Sequence, residues 1–439
     1  MILPEYVKRC IGALESAGFA AYAVGGCVRD WLLGLTPHDY DLCTAATPEQ
    51  LKDVFREYSL VLSGEKHGTV GVVMGTQVVE ITTFRTEGTY RDHRHPDRVE
   101  FVTDIADDLS RRDFTVNAMA FSPTQGLADP FGGADDLKAG VLRTVGNPAA
   151  RFSEDALRIL RGVRFAVRYR LTPEIQTEQA MNALAPLMDA LARERVFDEL
   201  CKLLPLVRVP DLLRYGNILA RIIPQLKAMM GFSQHSRFHS YDVYTHTAHA
   251  VAAAPRELTL RWAALLHDVG KPGCFTLDEA GEGHFYGHAQ ESAQMADAIL
   301  HQLKAPTALR ERVVFLIDKH MIPLQPDRKL LRRRLSQYGE EPVQQLLQLQ
   351  KADYAATGKA GDAPDYTAVE QLLNELIQEE QRLTEKSLAV NGHDLMALGY
   401  HGPEIGSSLR WLLDQVLEEK IPNQRQELLD ALNNRRETP

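Results

Sequence analysis

The chain has 439 residues, 44% of them hydrophobic and 25% charged, which supports two or more globular domains with real cores. No stretch approaches the roughly 20 apolar residues that span a bilayer, residues 1–12 lack a signal-peptide run, and five scattered cysteines (Cys10, Cys27, Cys43, Cys201, Cys274) without a CxxC pair exclude a disulfide framework or thiolate zinc site; a cytoplasmic protein with no membrane partner is expected. A net charge of −10 argues against a nucleic-acid partner unless cations cluster, and arginines do concentrate in 85–112 and 151–170, while the acidic excess lies largely in the C-terminal half.

In chain order the pattern predicts a helix over 7–17 ended by Gly18, a strand over 20–24, a helix over 29–33, a strand over 39–43 and a helix over 48–57. Two β-rich runs, 69–74 and 78–83, flank Gly75-Thr76-Gln77 as a hairpin would. This α/β domain ends near Val145. From Ser153 onward apolar residues recur at helical spacing through Leu157, Leu160, Val163 and Val167, and later Leu200, Leu203 and Leu204, so the remainder is a helical body. Pro255 and Pro272 punctuate a histidine-bearing segment, and Gly361 to Pro364 reads as a linker before a last pair of helices. The expected division is a head over 1–145, a neck and nucleotide- and tRNA-binding body over 146–235, a histidine-bearing domain over 236–360 and a helical tail over 361–439.

Gly25-Gly26-Cys27-Val28-Arg29-Asp30 follows one predicted strand and opens a helix, and Asp39-Tyr40-Asp41 returns as the next. Two glycines before a helix let backbone N–H groups approach a triphosphate, and Arg29, placed in the first turn, adds a charged donor. Residues two apart on a strand share a face, so Asp39 and Asp41 can converge on a pair of Mg²⁺ ions, with Glu80 a third carboxylate from a neighbouring strand. A lone Asp-x-Asp is more often a solvent-facing turn; the adjacent Gly-Gly-x-x-Arg-Asp weighs against that.

With these motifs the sequence resembles the DNA polymerase β nucleotidyltransferase superfamily, specifically the class II tRNA CCA-adding enzymes and bacterial poly(A) polymerases. Further support comes from Arg111-Arg112-Asp113-Phe114-Thr115-Val116-Asn117-Ala118, Asp129-Pro130-Phe131-Gly132-Gly133 and Glu154-Asp155-Ala156-Leu157-Arg158-Ile159-Leu160-Arg161 with Arg164, all in order. The resemblance implies a polymerase-β-like α/β head, an all-α body, tRNA, CTP and ATP as partners, and Mg²⁺ at Asp39 and Asp41. Triphosphate contacts are expected from Gly25, Gly26, Arg29, Arg111 and Arg112, while Asp113 and Asn117 shape the pocket. Asp155 and Arg158, three apart on a predicted helix, offer one acceptor and one donor fork, which suits the amino group and ring acceptor of cytosine or adenine and mismatches guanine and uracil; the competing reading is an intrahelical salt bridge. Arg161 and Arg164 extend the cationic stripe. The segment 85–97 matches a loop that in the family takes part in switching from C to A addition.

His246, then His267-Asp268 in Leu265-Leu266-His267-Asp268-Val269-Gly270-Lys271, and Asp353 resemble the HD phosphohydrolase signature, with His288 and His320 at positions that some HD domains use for a second metal. The implied site takes Mg²⁺, Mn²⁺ or Ni²⁺, whereas His235, His239, His249 and His284 fit no ligand pattern. The expected function is template-independent addition and repair of CCA, with a second phosphohydrolase activity in the HD domain. The alternatives are a poly(A) polymerase, a partial CC- or A-adding enzyme, or an HD phosphohydrolase with an RNA-binding head. The stretch 390–406 resembles the family's C-terminal part, expected to contact tRNA.

Overall fold

A computed structural model describes residues 1–87, 99–236, 240–358, 365–382, 387–417 and 420–437. It divides into two compact units, Met1–Ala228 with Gln302–Ala305, and Met229–His301 with Pro306–Pro439.

The strands of the first unit are β1 (Ala21–Val24), β2 (Leu42–Thr44), β3 (Leu60–Val61), β4 (Thr69–Met74), β5 (Gln77–Thr83), β6 (Arg85–Glu87), β7 (Val99–Phe101), β8 (Ala120–Ser122), β9 (Gly126–Ala128), β10 (Val141–Leu142) and β11 (Thr172–Pro173), the last two paired with each other. Seven form one sheet in the order β3-β4-β5-β2-β1-β8-β9, and β6 pairs with β7 separately. The expected hairpin is present: β4 and β5 are antiparallel from Thr69↔Thr82 to Met74↔Gln77. Along β5, Val79 and Ile81 are buried while Glu80 is exposed, the period-2 alternation of a sheet with one covered face. Strand β2 runs parallel to β5 with Leu42 opposite Ile81.

Several boundaries differ from expectation. Strand β2 starts at Leu42, not at residue 39. Its ladder reaches Asp41 only through the Val24 N–H, which donates to the Asp41 carbonyl at 3.0 Å; at Gly25 the chain bends away with φ 73° and bonds Met119 O instead. Asp39 and Asp41 therefore lie on an irregular lead-in to the strand. The helix after Gly25 spans Gly26–Leu32, so Arg29 sits in its last turn rather than its first.

The body of this unit is helical, with Pro148–Glu154, Leu157–Tyr169 and Arg193–Leu203 nearest the site. The Leu157–Tyr169 helix is buried along most of its length. A Cβ at Gly162 would come within 3.0 Å of the Phe114 ring, so glycine there lets the helix seat against the head. The one helix expected across 154–164 is broken at Asp155, whose φ −142° and ψ 104° are extended. Its carboxylate accepts the Leu157 N–H at 3.0 Å, a local side-chain bond that competes with helix continuation.

In the second unit the helices Val243–Ala253, Leu258–Leu266, Thr307–Lys319 and Glu340–Ala355 pack around Trp262, Leu316 and Leu346, all fully buried. Residues 361–364, read as a linker, lie outside the described residues. Four helices follow instead of the expected pair: Tyr366–Arg382, Gly392–Ala397, Pro403–Leu417 and Arg425–Glu437. The last three close a small core of Leu395, Tyr400, Leu412, Leu428 and Leu432. Among the described residues no helix is long and apolar enough to cross a membrane. None of the five cysteines is in a disulfide.

Candidate active site and a histidine cluster

The first unit encloses an open cavity of about 980 Å³. Its lining brings together Gly25, Gly26, Asp39 and Asp41 from the head with Asp155, Arg158, Arg161 and Arg164 from the body. Nine arginines (29, 85, 111, 112, 158, 161, 164, 168 and 195) and Lys202 face four aspartates, Asp39, Asp41, Asp113 and Asp155. An acidic protein thus carries a cationic working cleft, as the clustering of arginines in the sequence implied.

Asp41 is open to the cleft, yet the surrounding protein, then Glu80 and Asp39, raise its pKa above the usual carboxylate value, with Arg112 opposing. Crowded, oxygen-only donors of this kind fit a hard divalent cation, which would relieve the repulsion. Glu80 does not line the large cavity; it borders a smaller one of about 160 Å³ that shares Asp41.

Arg112 lies against the glycine turn: a Cβ on Gly25 would meet its Nη1 at 2.8 Å, and Arg112 Nη1 reaches the Asn117 carbonyl at 3.5 Å. Arg29 is buried and its donors are already engaged. Its Nε and Nη2 donate to Asp30 at 2.9 and 2.7 Å, Nη1 to Asn117 Oδ1 and Nη2 to the Tyr169 hydroxyl, with the guanidinium 4.2 Å from the Tyr169 ring centre. It lines the cavity and joins the turn to the body helix. Arg111 is held by Asp108 at 2.9 Å.

Asp113 is buried and accepts from Arg161 at 2.7 and 2.9 Å and from Asn117 Nδ2 at 3.0 Å. Burial alone would raise its pKa, but Arg161 and the Asn117 amide hold it down to about 2. Arg164 pairs with Glu199 at 2.6 Å and stands 4.4 Å from the Phe165 ring centre.

Asp155 and Arg158 both face the cavity but are not paired with each other, against the intrahelical salt bridge considered above. Asp155 takes Arg195 Nη2 at 2.7 Å and Nη1 at 3.4 Å. Arg158 is buried, bound to Glu154 and to the carbonyls of Arg151 and Arg111 at 3.1 and 3.2 Å. Sequence reasoning missed Arg195 and Lys202, which come from the Arg193–Leu203 helix. Their signal was a polar stripe at i, i+4, i+7 (Arg195, Glu199, Lys202) beside buried Val196, Leu200 and Leu203. Most of the 85–97 loop lies outside the described residues.

The second unit gathers His246, His267, Asp268, His288, His320 and Asp353. Among the described residues the groups of three or more with ligand atoms within 4.8 Å are His246–His267–Asp268 and Asp268–His288–His320. Asp353 Oδ1 adds to the first, 2.9 Å from His246 Nε2 and 3.3 Å from His267 Nε2. The two groups share Asp268, whose Oδ2 faces His267 at 3.2 Å and whose Oδ1 faces His288 at 3.6 Å. Each histidine has its Nδ1 on a backbone carbonyl: Ala356 at 3.1 Å, Ala264 at 2.8 Å, Phe285 at 2.8 Å and Ile317 at 2.6 Å, in chain order. That assigns the proton to Nδ1 and turns the Nε2 lone pairs inward, the arrangement of metal-ligating histidines.

Neither His267 Nε2 nor either Asp268 oxygen makes a hydrogen bond, although all are buried and Lys271 Nζ is 2.7 Å from Asp268. Buried atoms of this kind fit a divalent cation. Burial, then neighbouring His267, lowers His320 to about 4, so it is neutral at physiological pH. Burial would lower His267 too, but Asp268 and Asp353 raise it to about 10, so a metal must displace a proton there. Of the other histidines, His249 stacks on Tyr241 at 4.5 Å and His239 lies outside the described residues.

A mixed sheet with carboxylates where β2 begins, a glycine turn beside them and an arginine-rich helical wall define a polymerase-β-like nucleotidyltransferase head on a mostly helical body. Residues 21–143 match the poly A polymerase head domain, 170–230 the probable RNA and SrmB-binding site of polymerase A, and 285–432 the putative tRNA nucleotidyltransferase domain 2. A CCA-adding enzyme of Levilactobacillus brevis is 35% identical over 433 residues, covering 98% of this chain and 97% of its own. One of Streptococcus gordonii is 33% identical over 430 residues, with 96% of each covered. The crystal structure of the Bacillus stearothermophilus CCA-adding enzyme in complex with CTP aligns with a TM-score of 0.67 at 28% identity, over 100% of this chain and 99% of that one. The chain belongs to the CCA-adding enzyme family.

Proposed function

We propose that this protein builds and repairs the 3′-terminal CCA of tRNA in the cytoplasm, using CTP and ATP and no nucleic-acid template. The observation that carries this reading is the single cavity in which Asp39 and Asp41 share a lining with Asp155, Arg158 and the arginine wall. The tRNA 3′-oxygen attacks the α-phosphorus, a P–O bond forms, and the bond to pyrophosphate breaks. Mg²⁺ held by Asp39 and Asp41 supplies, when bound, a lowered pKa for the attacking hydroxyl and neutralisation of triphosphate charge. Arg112 and the N–H groups of the glycine turn hold the triphosphate, Arg29 fixes that turn, and Asp155 with Arg158 reads the base. The test is to incubate tRNA transcripts lacking one, two or all three terminal nucleotides with CTP, ATP or both, and to sequence the products. Addition of only CC, only A, or a run of A would support the partial-enzyme or poly(A) alternatives instead.

A second reading, a metal-dependent HD phosphohydrolase in the second unit, is favoured by the orphaned atoms of His267 and Asp268. Asp268 with His246, His267 and Asp353 would hold one divalent ion, and Asp268 with His288 and His320 a second. When bound, Mg²⁺, Mn²⁺ or Ni²⁺ supplies hydroxide near neutral pH and polarises a phosphoryl group. A 3′-phosphate or 2′,3′-cyclic phosphate on damaged tRNA is a chemically sensible target, because a blocked end cannot act as nucleophile. Metal analysis should find two ions per chain and one in a His288→Ala/His320→Ala variant. Metal-loaded protein that hydrolyses neither p-nitrophenyl phosphate nor cyclic 2′,3′-nucleotides would reduce the cluster to a structural site.

A further inference from the structure

The cavity beside the histidine cluster has a feature that metal binding does not use. Its volume is about 560 Å³, and besides Asp268, His288, His320 and Asp353 it is lined by His284, Phe285 and Tyr286. These three lie between Gly283 and Gly287, where the short strand Gly283–His284 gives way to a turn at Tyr286 and Gly287, and their rings divide between two environments. Phe285 packs against Phe275 with ring centres 5.4 Å apart, and its ring centre is 5.4 Å from Lys271 Nζ. His284 and Tyr286 instead stack on each other, with centres 5.3 Å apart and planes 11° from parallel.

Tyr286 is 78% exposed, the most exposed aromatic among the large hydrophobics of the described surface. Exposing a large ring at the rim of a cavity forgoes apolar burial, which a ligand face would recover. The His284 imidazole is also fixed in orientation, since its Nε2 bonds Asp278 Oδ2 at 2.9 Å. The pair is thus a rigid aromatic shelf, with little side-chain entropy left to lose on binding. It is tied to the ligand set as well: the Phe285 carbonyl, between the two stacked residues, accepts from His288 Nδ1 at 2.8 Å.

A flat shelf one residue from a metal-ligand anchor, in a cavity that also presents Lys271, matches a ligand with a planar ring at one end and a phosphoryl group at the other. We propose that Tyr286, supported by His284, is the base-stacking, specificity-determining residue of the second site, so that this site takes nucleoside phosphoesters in preference to other phosphoesters. The inference rests on the phosphohydrolase reading for its phosphoryl end but not for its shelf. A free nucleotide and the terminal nucleotide of an RNA both carry this chemistry.

The test uses the full chain loaded with Mn²⁺. Kinetics on cytidine 3′-phosphate, on an RNA oligonucleotide ending in a 3′-phosphate and on glycerol 2-phosphate, which has no ring, give the nucleotide preference as a ratio of kcat/KM. In Tyr286→Leu that ratio should fall by about tenfold to a hundredfold, mostly through KM, as expected for loss of one base stack. Tyr286→Phe should retain it. A loss confined to the mononucleotide, or to the oligonucleotide, identifies which source the shelf serves. In parallel, quenching of a 2-aminopurine nucleoside 3′-phosphate measures stacking without turnover. Quenching that Tyr286→Leu removes upholds the shelf even if no substrate is hydrolysed, in which case only the phosphohydrolase reading falls. An unchanged ratio and unchanged quenching in Tyr286→Leu overturn the proposal.

Discussion

The two sites answer charge in opposite ways. In the head cavity several charged groups are already paired within the protein, Arg161 with Asp113, Arg164 with Glu199, Arg158 with Glu154 and the acceptor Asp155 with Arg195, while Arg112 Nε makes no hydrogen bond. In the histidine cluster His267 Nε2 and the Asp268 carboxylate crowd against each other, Asp353 and Lys271 at 2.7–3.3 Å without the geometry of hydrogen bonds. The first arrangement holds its side chains in place before a ligand arrives and lets an anionic, hydrogen-bonding ligand exchange with internal partners. The second is costly as it stands and calls for a cation. On the readings proposed above, the first suits a substrate that comes and goes and the second a resident ion.

The largest effects should come from breaking that contrast at its centre. Asp41→Ala should lower nucleotide addition on the order of 10³-fold or more, since several kcal/mol of metal-assisted stabilisation is lost. It should leave the metal content of the histidine cluster unchanged. His267→Ala/Asp268→Ala should do the reverse, emptying the cluster while CTP and ATP addition continues. Addition assays and metal analysis on both variants decide the matter, and parallel loss of both properties would mean that the sites are not independent.

A smaller effect is expected at the base-reading pair. Asp155→Ala or Arg158→Ala should let GTP or UTP compete, relaxing discrimination by about tenfold to a hundredfold, the value of about 1–3 kcal/mol for one unmatched buried polar contact. Arg195→Ala should relax it less, because Arg195 only positions Asp155. Misincorporation from mixed nucleotides measures all three, and an Arg195→Ala effect equal to that of Asp155→Ala would promote Arg195 from positioning to reading.

How far such residues were legible in the sequence depended on how local their geometry is. The glycine turn, Asp39 and Asp41 stand within seventeen residues of chain and were found by spacing, although the strand expected from residue 39 starts three residues later, at Leu42. The histidine set spans far more chain but consists of residue types that rarely recur in that order by accident. Asp155 was placed on the wrong element because its carboxylate bonds Leu157 N–H and ends helical geometry, a competition that periodicity cannot register. Arg195 was missed because its partner is forty residues away. The Tyr286 shelf was invisible for a different reason: nothing in the run Gly283 to Gly287 says which rings turn in and which turn out.

The last predicted effect, and the one that isolates electrostatics from chemistry, concerns Asp113. It is buried, bound to Arg161 and Asn117, and its pKa is held at about 2 against an ordinary 3.8. A folded-state pKa below the unfolded one means that ionised Asp113 stabilises the fold above the unfolded value and ceases to do so as pH falls through the folded value. A depression of this size corresponds to about 2 kcal/mol, fully present at pH 7 and lost progressively between roughly pH 4 and pH 2. Asp113→Asn keeps the shape and can still accept from Arg161 through Oδ1, but its NH₂ then faces the Phe114 N–H and Asn117 Nδ2 donors, which adds a pH-independent cost of about 1–3 kcal/mol to the charge effect. Urea unfolding of the first unit at a series of pH values should show the gap between wild type and Asp113→Asn narrowing toward pH 2 to that pH-independent remainder. A gap that is independent of pH would assign the whole cost to packing or hydrogen-bond geometry, and would remove the Asp113–Arg161 charge pair from the list of things that hold the arginine wall in place.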